Sequence, residues 1–489
     1  MSGNISKNKI AVNFLWRFFE RCGAQLVTFV VSIILARLLD PETYGTIALV
    51  TVFTTILHVF IDSGFGTALI QKKDADDLDF STVFYFNMSM CLALYAVLFF
   101  AAPAISAFYS RPELTAIVRV LGLTLIISGV KGIQQSFVSR HMLFKRFFFA
   151  TLGGTLGAAA VGIWMAYKGF GVWALVAQNL FNQAVDTVIL WITVKWRPKK
   201  MFSFQRLKGL FSFGWKILVS ALLETGYNEL RQLLIGKLYS SADLAYYNKG
   251  RQFPNLIVTN VNASINSVLL PVMSSVQDQR EQVKAMTRRS ICVSTYIMSP
   301  LLIGLAVVSK PLIALVLTEK WLPCQPFLCI YCAVYVFFPI HTANLNAIKA
   351  MGRSDLFLKL EIIKKVVGLL ILIITLRYGA LAIAYGMLVS SVICQVINSW
   401  PNKKLLNYSY FEQLCDIFAN IALAIVMGAI VWCITLLNLN SWLTIIFQII
   451  LGAAIYLGGS KLLHLESYLY LMGIISPELK LFFGKEEIT

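Results

Sequence analysis

Long apolar runs follow one another along almost the whole chain, separated by short polar gaps. Most are roughly 20 to 30 residues long, enough at about 1.5 Å per helical residue to cross a hydrocarbon layer of about 30 Å. With 58% apolar and only 13% charged residues, the chain has more apolar surface than a soluble core could hide. We therefore predict an all-α polytopic membrane protein with about 14 transmembrane helices.

The orientation of these helices is predicted from the distribution of lysine and arginine. If the N-terminus is cytoplasmic, the cytoplasmic loops and tails hold 25 Lys and Arg, and the opposite side holds seven. This asymmetry follows the positive-inside rule, and an even number of spans returns the C-terminus to the same side. The N-terminal residues lack a cleavable signal pattern, so the first run is expected to remain as a span. The predicted spans are 10–38, 44–70, 80–108, 114–138, 147–167, 171–194, 209–236, 244–274, 289–309, 323–348, 357–376, 380–399, 413–437 and 441–463.

An internal repeat with an offset near 200 residues relates the two halves. The segment Ile34–Tyr44 resembles Ile235–Ala245, and Arg140–Met142 resembles Lys349–Met351. Six spans separate the copies, so the halves share one orientation, and we expect two parallel lobes that face a common cleft. The predicted division is an N-terminal lobe at 1–205, a C-terminal lobe at 206–402, and helices 13 and 14 with a cytoplasmic tail at 403–489.

Several classes of protein are disfavoured. The loops are too short for a soluble catalytic domain, and no phosphate-cradling GxxxxGK[ST] stretch or catalytic triad is present, so we expect neither an enzyme nor a cofactor. Cys324, Cys329 and Cys332 lack neighbouring ligands for a zinc site, and no metal is expected. The net charge of +18 lies mainly in loops, which points to topology and not to nucleic acid. The acidic stretch Asp74–Asp77 is expected to be a solvated loop.

Charged residues inside the spans are the main functional signal. Each costs about 2.5 to 3.5 kcal/mol at a helix centre on an insertion scale, so they must face water, one another or an anion. Cations outnumber acids, which favours an anionic ligand. The cations are Arg17, Arg21, Arg119, Lys131, Lys216, Arg231, Lys249, Arg251, Lys364 and Lys365, and the acids are Glu20, Asp62, Asp186, Glu224, Glu229 and Glu361.

Arg17 and Arg21 stand one turn apart on the same helix face, so we expect them to line an interior cavity. An ion cluster with Glu20, or snorkelling of both arginines to the surface, is the alternative. Snorkelling is the favoured interpretation for Lys364 and Lys365. Span 7 has a second polar face, with the i, i+3, i+4, i+7 spacing of a helix, formed by Glu224, Tyr227, Asn228 and Arg231.

Two stripes of neutral polar residues are candidates for contact with sugar hydroxyls, because amides and hydroxyls both donate and accept hydrogen bonds. The first, in span 8, consists of Asn255, Thr259, Asn262 and Asn266. The second, in span 6, consists of Gln178, Asn182 and Asp186, for which hydrogen bonding between helices is an equally good interpretation. Pro254 is expected to kink span 8.

Four motifs occur in an order that resembles a known family: Leu38–Gly45 (LLDPETYG), Asp62–Ile70 (DSGFGTALI), Tyr246–Arg251 (YYNKGR) and Ala347–Arg353 (AIKAMGR). They are similar to the polysaccharide transporter, or Wzx-like, branch of the multidrug/oligosaccharidyl-lipid/polysaccharide flippase superfamily, with colanic acid-type exporters most alike. The resemblance covers residues 10 to 410.

The resemblance implies two six-helix lobes plus two C-terminal helices, working by alternating access in a bacterial inner membrane with both termini cytoplasmic. The implied substrate and partner is an undecaprenyl-diphosphate-linked oligosaccharide, with polysaccharide polymerase machinery as a further partner and the bilayer as surroundings. The implied diphosphate cavity consists of Arg17, Arg21, Lys216, Arg231, Lys249 and Arg251. Lys249 and Arg251 lie about 200° apart on a regular helix, so both can face one cavity only if that helix is broken.

Further roles complete this interpretation. The sugar-facing residues are expected to be Asn228, Asn255, Thr259, Asn262 and Asn266. Coupling to an ion or proton gradient is assigned to Glu20, Asp62, Glu224 and Glu229, although simple pairing with arginines is an equal alternative. A drug or organic-cation exporter of the same superfamily is a rival, and the excess of cations argues against it. A membrane polysaccharide polymerase or ligase is a second rival, and the lack of a large loop argues against it.

Overall fold

The computed structural model describes residues 7–62, 65–72, 74–276, 278–437 and 440–473, and the regular secondary structure within these ranges is helical. A helical stretch at 466–473 runs up to the last described residue. The helices with assigned ends are α1 (Lys7–Leu38), α2 (Pro41–Asp62), α3 (Phe65–Gln71), α4 (Asp77–Tyr109), α5 (Leu114–Arg140), α6 (Phe144–Tyr167), α7 (Val172–Thr193), α8 (Phe204–Leu238), α9 (Ser241–Ser275), α10 (Arg280–Val316), α11 (Gln325–Val336), α12 (Phe338–Ala350), α13 (Ser354–Thr375), α14 (Ala380–Leu405), α15 (Tyr410–Cys433) and α16 (Ser441–Leu462), with 3-10 turns at Glu319–Cys324 and Ile434–Leu437.

The prediction of an all-α polytopic membrane protein is confirmed. In the described part of the chain, nine helical segments are long and apolar enough to cross a bilayer. Large apolar side chains such as Phe100, Trp164 and Phe418 remain exposed on these helices, as expected where lipid covers them. The five other predicted spans fall on α1, α7, α8, α9 and α13, which carry most of the intramembrane charges and amides noted above.

Two predicted spans are divided in the structure. The span expected at 44–70 ends at Asp62, and Phe65–Gln71 forms the separate short helix α3. The span expected at 323–348 consists of α11 and α12, which meet at Phe337. Pro339 lies in the first turn of α12, where a helix does not need its N–H as a donor. In the middle of one continuous helix the same proline would remove a hydrogen bond, so the chain divides into α11 and α12 here.

Helix ends confirm the internal repeat. The turn between α1 and α2 and the turn between α8 and α9 are offset by 200 residues, since α1 and α8 end at Leu38 and Leu238. A second pair of turns, after α5 and after α12, is offset by 210 residues. Each of these contains one residue with positive φ, Met142 at 54° and Gly352 at 70°. The two halves therefore reuse the same local chain reversals.

The chain forms two compact units, Met1–Ala245 and Tyr246–Thr489. In the first, an apolar core that includes Leu69, Val83, Ile133 and Leu190 joins α3, α4, α5 and α7. In the second, a core that includes Ile291, Ile340 and Ile417 joins α10, α12 and α15. The expected division at residues 205 and 402 stays a prediction.

Candidate functional site

Six predicted site residues have side chains outside the part of the chain that the structure describes. Positions 17, 20 and 21 fall on α1, position 62 ends α2, position 216 falls on α8, and position 266 falls on α9. Their roles stay predictions. The residues concerned are Arg17, Glu20, Arg21, Asp62, Lys216 and Asn266.

The predicted polar face of α8 is held together by contacts one turn apart. The Asn228 amide donates to Glu224 Oε1 at 3.1 Å, and Arg231 Nη2 donates to the Tyr227 hydroxyl at 3.2 Å. The Arg231 guanidinium also lies 5.0 Å from the centre of the Tyr227 ring. Although Arg231 is only 7% exposed, no carboxylate among the described residues pairs with it. Glu229 accepts from Gln232 at 2.6 Å.

Lys249 and Arg251 lie on α9, which is unbroken from Ser241 to Ser275. The helix therefore does not meet the condition under which both would face one cavity. A Cβ on the intervening Gly250 would lie 2.5 Å from Phe327 Cβ, so α9 is pressed against α11 at this level. Lys249 is 6% exposed and its ammonium lies 5.8 Å from the Trp321 ring centre.

Arg251 belongs to a polar cluster that includes one of the predicted sugar-facing residues. Its guanidinium lies close to the Tyr335 side chain of α11, and the Tyr335 hydroxyl donates to Asn255 Oδ1 at 3.4 Å. Thr259 is exposed, and its hydroxyl donates to the backbone carbonyl of Asn255 at 2.8 Å, whereas Asn262 is buried. The structure thus brings Arg251 and Asn255 together, and the stripe does not share one environment. Pro254 lies inside α9, and the helix continues through it.

The polar stripe of α7 faces a seam of glycines on α6. A Cβ on Gly162 would lie 3.1 Å from Gln178 Cβ, and one on Gly154 would lie 2.9 Å from Asn182 Oδ1 and 3.2 Å from Asp186 Cβ. Small residues let two helices approach closely inside a membrane. Interhelical packing is therefore the role that the structure gives to Gln178 and Asn182.

Asp186 reaches beyond this seam to α5. Lys131 Nζ lies 3.1 Å from Asp186 Oδ2 and donates to Gln183 Oε1 at 2.6 Å. The two side chains are 12% and 13% exposed. This ion pair lies well inside helices that the sequence places in the membrane. The second carboxylate oxygen, Asp186 Oδ1, is buried and accepts no hydrogen bond from a described residue.

The start of α4 is the centre of a second charged cluster. Asp76 and Asp79 form a capping box, and Asp79 is fully buried. Lys72 Nζ lies 2.6 Å from Asp79 Oδ2, and Arg206 Nη1 lies 3.5 Å from the same oxygen. The backbone N–H of Asp79 donates to Asp76, and this bond, with Arg206 and Lys72 nearby, holds the pKa of Asp76 below its usual range. The expected solvated loop at 74–77 is thus a structured helix cap.

The same cluster fixes the long link between α7 and α8. Asp77 accepts from the Trp196 indole at 3.0 Å and pairs with Lys199 at 2.6 Å. The backbone N–H of Lys199 donates to Ser81, and Gln134 of α5 donates to the Trp196 carbonyl. The basic link therefore lies against α4 and α5 with its backbone anchored.

The expectation that Lys364 snorkels is wrong. Lys364 is buried, and its ammonium lies 2.6 Å from Glu361 Oε1, one turn earlier on α13. A lysine that stays within the protein and pairs with a carboxylate avoids the cost of facing lipid without extending to the surface.

The described residues of the second unit enclose an apolar cavity and a smaller one with a charged lining residue. One, of about 480 Å³, lies between α10, α15 and α16 and has an almost wholly apolar wall that includes Leu301, Leu305, Met427 and Ile449. The other, of about 380 Å³, lies between α10, α11 and the end of α15, where Lys310 is its one charged lining residue. The larger cavity suits an apolar chain, because it offers almost no polar partner to a ligand.

Comparison with known proteins identifies the family of this chain. The model of a family described as polysaccharide biosynthesis protein matches residues 34–326, more than half of the chain. The chain belongs to this family. The family is the Wzx-like branch of the multidrug/oligosaccharidyl-lipid/polysaccharide flippase superfamily, so this polysaccharide biosynthesis protein is a multi-pass membrane transporter and not an enzyme.

Relatives of this family member are bacterial and distant. The teichuronic acid biosynthesis protein TuaB of Bacillus subtilis is 26% identical, over 83% of this chain and 85% of that protein. The succinoglycan biosynthesis transport protein ExoT of Rhizobium meliloti is 23% identical over 67% and 66%. The lipopolysaccharide biosynthesis protein WzxC of Escherichia coli is 21% identical over 79% of each chain. At these identities no individual polysaccharide is assigned.

Solved structures show the fold of this family member. The lipid II flippase MurJ in an inward closed conformation superposes with a TM-score of 0.73, over 93% of this chain and 99% of that one, at 14% identity. A multidrug resistance transporter of the MATE family in an inward-facing conformation gives 0.61, over 79% and 96%, also at 14% identity. The fold is therefore MurJ-like and MATE-like.

Sequence reasoning named Lys131 and Asp186 as intramembrane charges without pairing them. They are 55 positions apart, on helices that do not follow one another in the chain, and no local pattern links them. The D-x-x-D spacing of Asp76 and Asp79 was, by contrast, readable as a helix cap.

Proposed function

We propose that this transporter moves an undecaprenyl-diphosphate-linked oligosaccharide repeat unit from the cytoplasmic to the periplasmic leaflet by alternating access. The family, the fold and the excess of intramembrane cations support this substrate class. Within it, the motif resemblance described above favours an exporter of the colanic acid type. The arrangement proposed is 14 spans, in two six-helix lobes plus two C-terminal helices, divided near residues 205 and 402.

Buried Arg231 is the observation that carries this proposal. Its described neighbours are the hydroxyl and ring of Tyr227, neither of which neutralises a guanidinium. A buried cation without a carboxylate is expensive unless an anion joins it, and guanidinium groups match phosphate oxygens in two-point geometry. We assign the diphosphate to Arg231 together with the predicted cations Arg17, Arg21 and Lys216. Because α9 is unbroken, only one of Lys249 and Arg251 joins them, and we propose Arg251, which lies next to the proposed sugar contact Asn255.

The other parts of the substrate are assigned by polarity. Sugar hydroxyls are proposed to contact Asn228, Asn255, Thr259, Asn262 and Asn266, which offer both donors and acceptors. The isoprenoid chain is proposed to remain in the lipid and to contact the apolar cavity between α10, α15 and α16. That cavity would not suit a hydrophilic drug cation. An outward movement that needs energy would be coupled to a proton or ion gradient through Glu20, Asp62, Glu224 or Glu229.

The proposal is tested in proteoliposomes that contain an undecaprenyl-diphosphate-linked, fluorescently labelled sugar. Wild-type protein should move the label between leaflets, as measured by its accessibility to a membrane-impermeant quencher. Arg17→Gln, Arg21→Gln or Arg231→Gln should abolish movement while leaving expression intact, and Arg231→Lys should recover only part of it, since an ammonium lacks the guanidinium fork. Transport of an organic cation but not of the lipid would support the drug-exporter rival instead.

Arg17 and Arg21 have a further, structural alternative. If they serve only to neutralise Glu20, each single substitution should destabilise the protein, and combined neutralisation with Glu20→Gln should restore stability and transport together. Full recovery in that combination would remove both arginines from the substrate site.

A further inference from the structure

The ion pair between Lys131 and Asp186 lies far from either end of its helices. Lys131 is nine residues before the end of α5, and Asp186 is seven residues before the end of α7, distances of about 13 and 10 Å along the helix axes. Trp191 of α7 donates to the Val130 carbonyl at 3.2 Å, so the two helices are in direct contact at this level. An ionisable pair at such depth indicates a functional site.

Neither member of the pair has all its polar atoms satisfied by described residues. The Lys131 ammonium has three N–H donors and uses two of them, toward Gln183 and Asp186. Asp186 Oδ1 is buried without a described donor. Burying a carboxylate oxygen without a hydrogen bond costs free energy, so the Asp186 carboxylate is incompletely stabilised where it pairs with Lys131. The arrangement thus keeps a cation in place with one donor left for a further acceptor.

Among the described residues, no second charged group contacts the pair, and Arg197, in the link after α7, lies 5.1 Å from the Trp191 ring centre. His58 of α2 is directed to Thr124, about two turns away on α5, and Cys91 of α4 packs where a Cβ on Gly129 would lie. Gly153 and Gly154 give α6 a face without side chains here. A Cβ on Gly132 of α5, next to Lys131, would lie 3.9 Å from Ile61 of α2. The side chain of the following residue, Asp62, lies outside the described residues, so a variant at this position is included in the test.

A carrier of a diphosphate has to release it after binding it. Cations that bound the phosphates at full strength would hold the substrate and slow each cycle, so binding has to be strong enough to load and weak enough to unload. A carboxylate that competes for one of the cations provides such a limit, because the lysine loses part of one attraction when it gains the other.

We propose that Lys131 is a phosphate contact for the lipid-linked diphosphate and that Asp186, with Gln183, moderates its strength so that the substrate can leave. This inference rests on the proposed function and adds a residue pair to it. In the unloaded transporter Asp186 takes the place of the phosphate, so Lys131 is not left as a bare cation inside the membrane. When substrate is bound, the third N–H of Lys131 and part of its charge turn to a phosphate oxygen.

This role requires the two partners to have opposite effects on affinity. Loss of Lys131 removes a hydrogen bond between charged groups, and we expect Lys131→Gln to weaken binding about ten- to a hundredfold. Asp186→Asn frees the lysine, so it should bind several times more tightly and release more slowly, with lower transport. A pair that served packing alone would shift affinity in one direction for both variants, through a less stable protein.

The experiment measures equilibrium binding and dissociation of radiolabelled undecaprenyl diphosphate with the full-length protein in phosphatidylcholine nanodiscs, together with the melting temperature of each variant. Glu361→Gln is the matched control, since it breaks another buried lysine–carboxylate pair, on α13, and should not tighten binding. Asp62→Asn shows whether Asp62 exerts the moderating effect in place of Asp186. Gln183→Met removes only the neutral acceptor and should tighten binding slightly; if Asp186→Asn does not fold, the sign of this change decides.

Opposite shifts for Lys131→Gln and Asp186→Asn, with the control unchanged, would support the proposal. If the wild type binds the probe and both variants shift the affinity in the same direction, the proposal is overturned and the proposed function stands. Tightening by Asp62→Asn but not by Asp186→Asn would overturn the role of Asp186. A wild type that retains no undecaprenyl diphosphate would refute the proposed function, and this inference with it.

Discussion

The contact between Gly45 and Ser241 leads to a quantitative prediction about stability. Gly45 lies on α2 and Ser241 begins α9, both inside the first compact unit. A Cβ built on Gly45 would lie 2.7 Å from Ser241 Cβ and closer still to the Ser241 carbonyl oxygen, whereas ordinary contact begins near 3.4 Å. The obstacle is partly backbone, so no side-chain rotation can relieve it. Gly45→Ala must therefore push the start of α9 away from α2.

The size of the effect follows from two opposing contributions. Alanine gains about 1 kcal/mol over glycine in a helix interior. Overpacking of a close contact typically costs about 1 to 3 kcal/mol, and more when backbone has to move. With direct backbone overlap at Gly45 we expect a cost at the upper end of this range, about 3 kcal/mol, and therefore a net loss of about 2 kcal/mol. The same substitution at Gly23 of α1, whose built Cβ has no atom of a described residue within 4 Å, should be neutral or stabilising.

The assay compares Gly45→Ala with Gly23→Ala in the same detergent, by thermal unfolding followed with a thiol-reactive dye, and in proteoliposomes by lipid export. We expect a lower melting temperature and reduced export for Gly45→Ala alone. Equal melting temperatures for the two variants would show that α2 and α9 are not in close contact at this point, and the reasoning from close packing would then fail.

Three further predictions concern the helix cap, the sugar contacts and the topology. Asp76→Ala should lower stability by about 1 kcal/mol through loss of the cap. Because the native pKa of Asp76 is lowered, this difference in stability should be complete above about pH 4 and should shrink as acid protonates the native carboxylate, and chemical denaturation at pH 7 and at pH 3 measures it. Asn262→Leu should impair export of long or branched repeats more than that of a single-sugar lipid diphosphate, and equal losses would indicate packing instead. Tags inserted at positions 2, 200 and 485 should be inaccessible from the periplasm, and periplasmic labelling at position 200 would contradict the predicted topology.

Local sequence signals were sufficient for the helices and their repeat. Apolar runs of spanning length predicted the nine helical segments of the described chain that are long and apolar enough to cross a bilayer, because length and hydropathy are properties of one segment at a time. The echo between Ile34–Tyr44 and Ile235–Ala245 marked turns that the structure places 200 residues apart. At Phe337, where the expected continuous span is divided, the cause is also local, because Pro339 in the first turn of α12 interrupts a continuous helix.

The partners of the charges were decided only by the tertiary structure. Sequence alone identified Lys131, Asp186 and Lys364 as costly inside a membrane, but the cost does not specify what relieves it. Lys364 finds Glu361 on its own helix, whereas Lys131 finds Asp186 on another helix, where the close approach of α6 and α7 at Gly154 positions the carboxylate. Hydropathy and helical period describe one helix at a time, and an ion pair depends on how several helices pack. The sequence therefore determined that charges must be accommodated inside this transporter, and the packing of its helices determined which of the described charges neutralise each other.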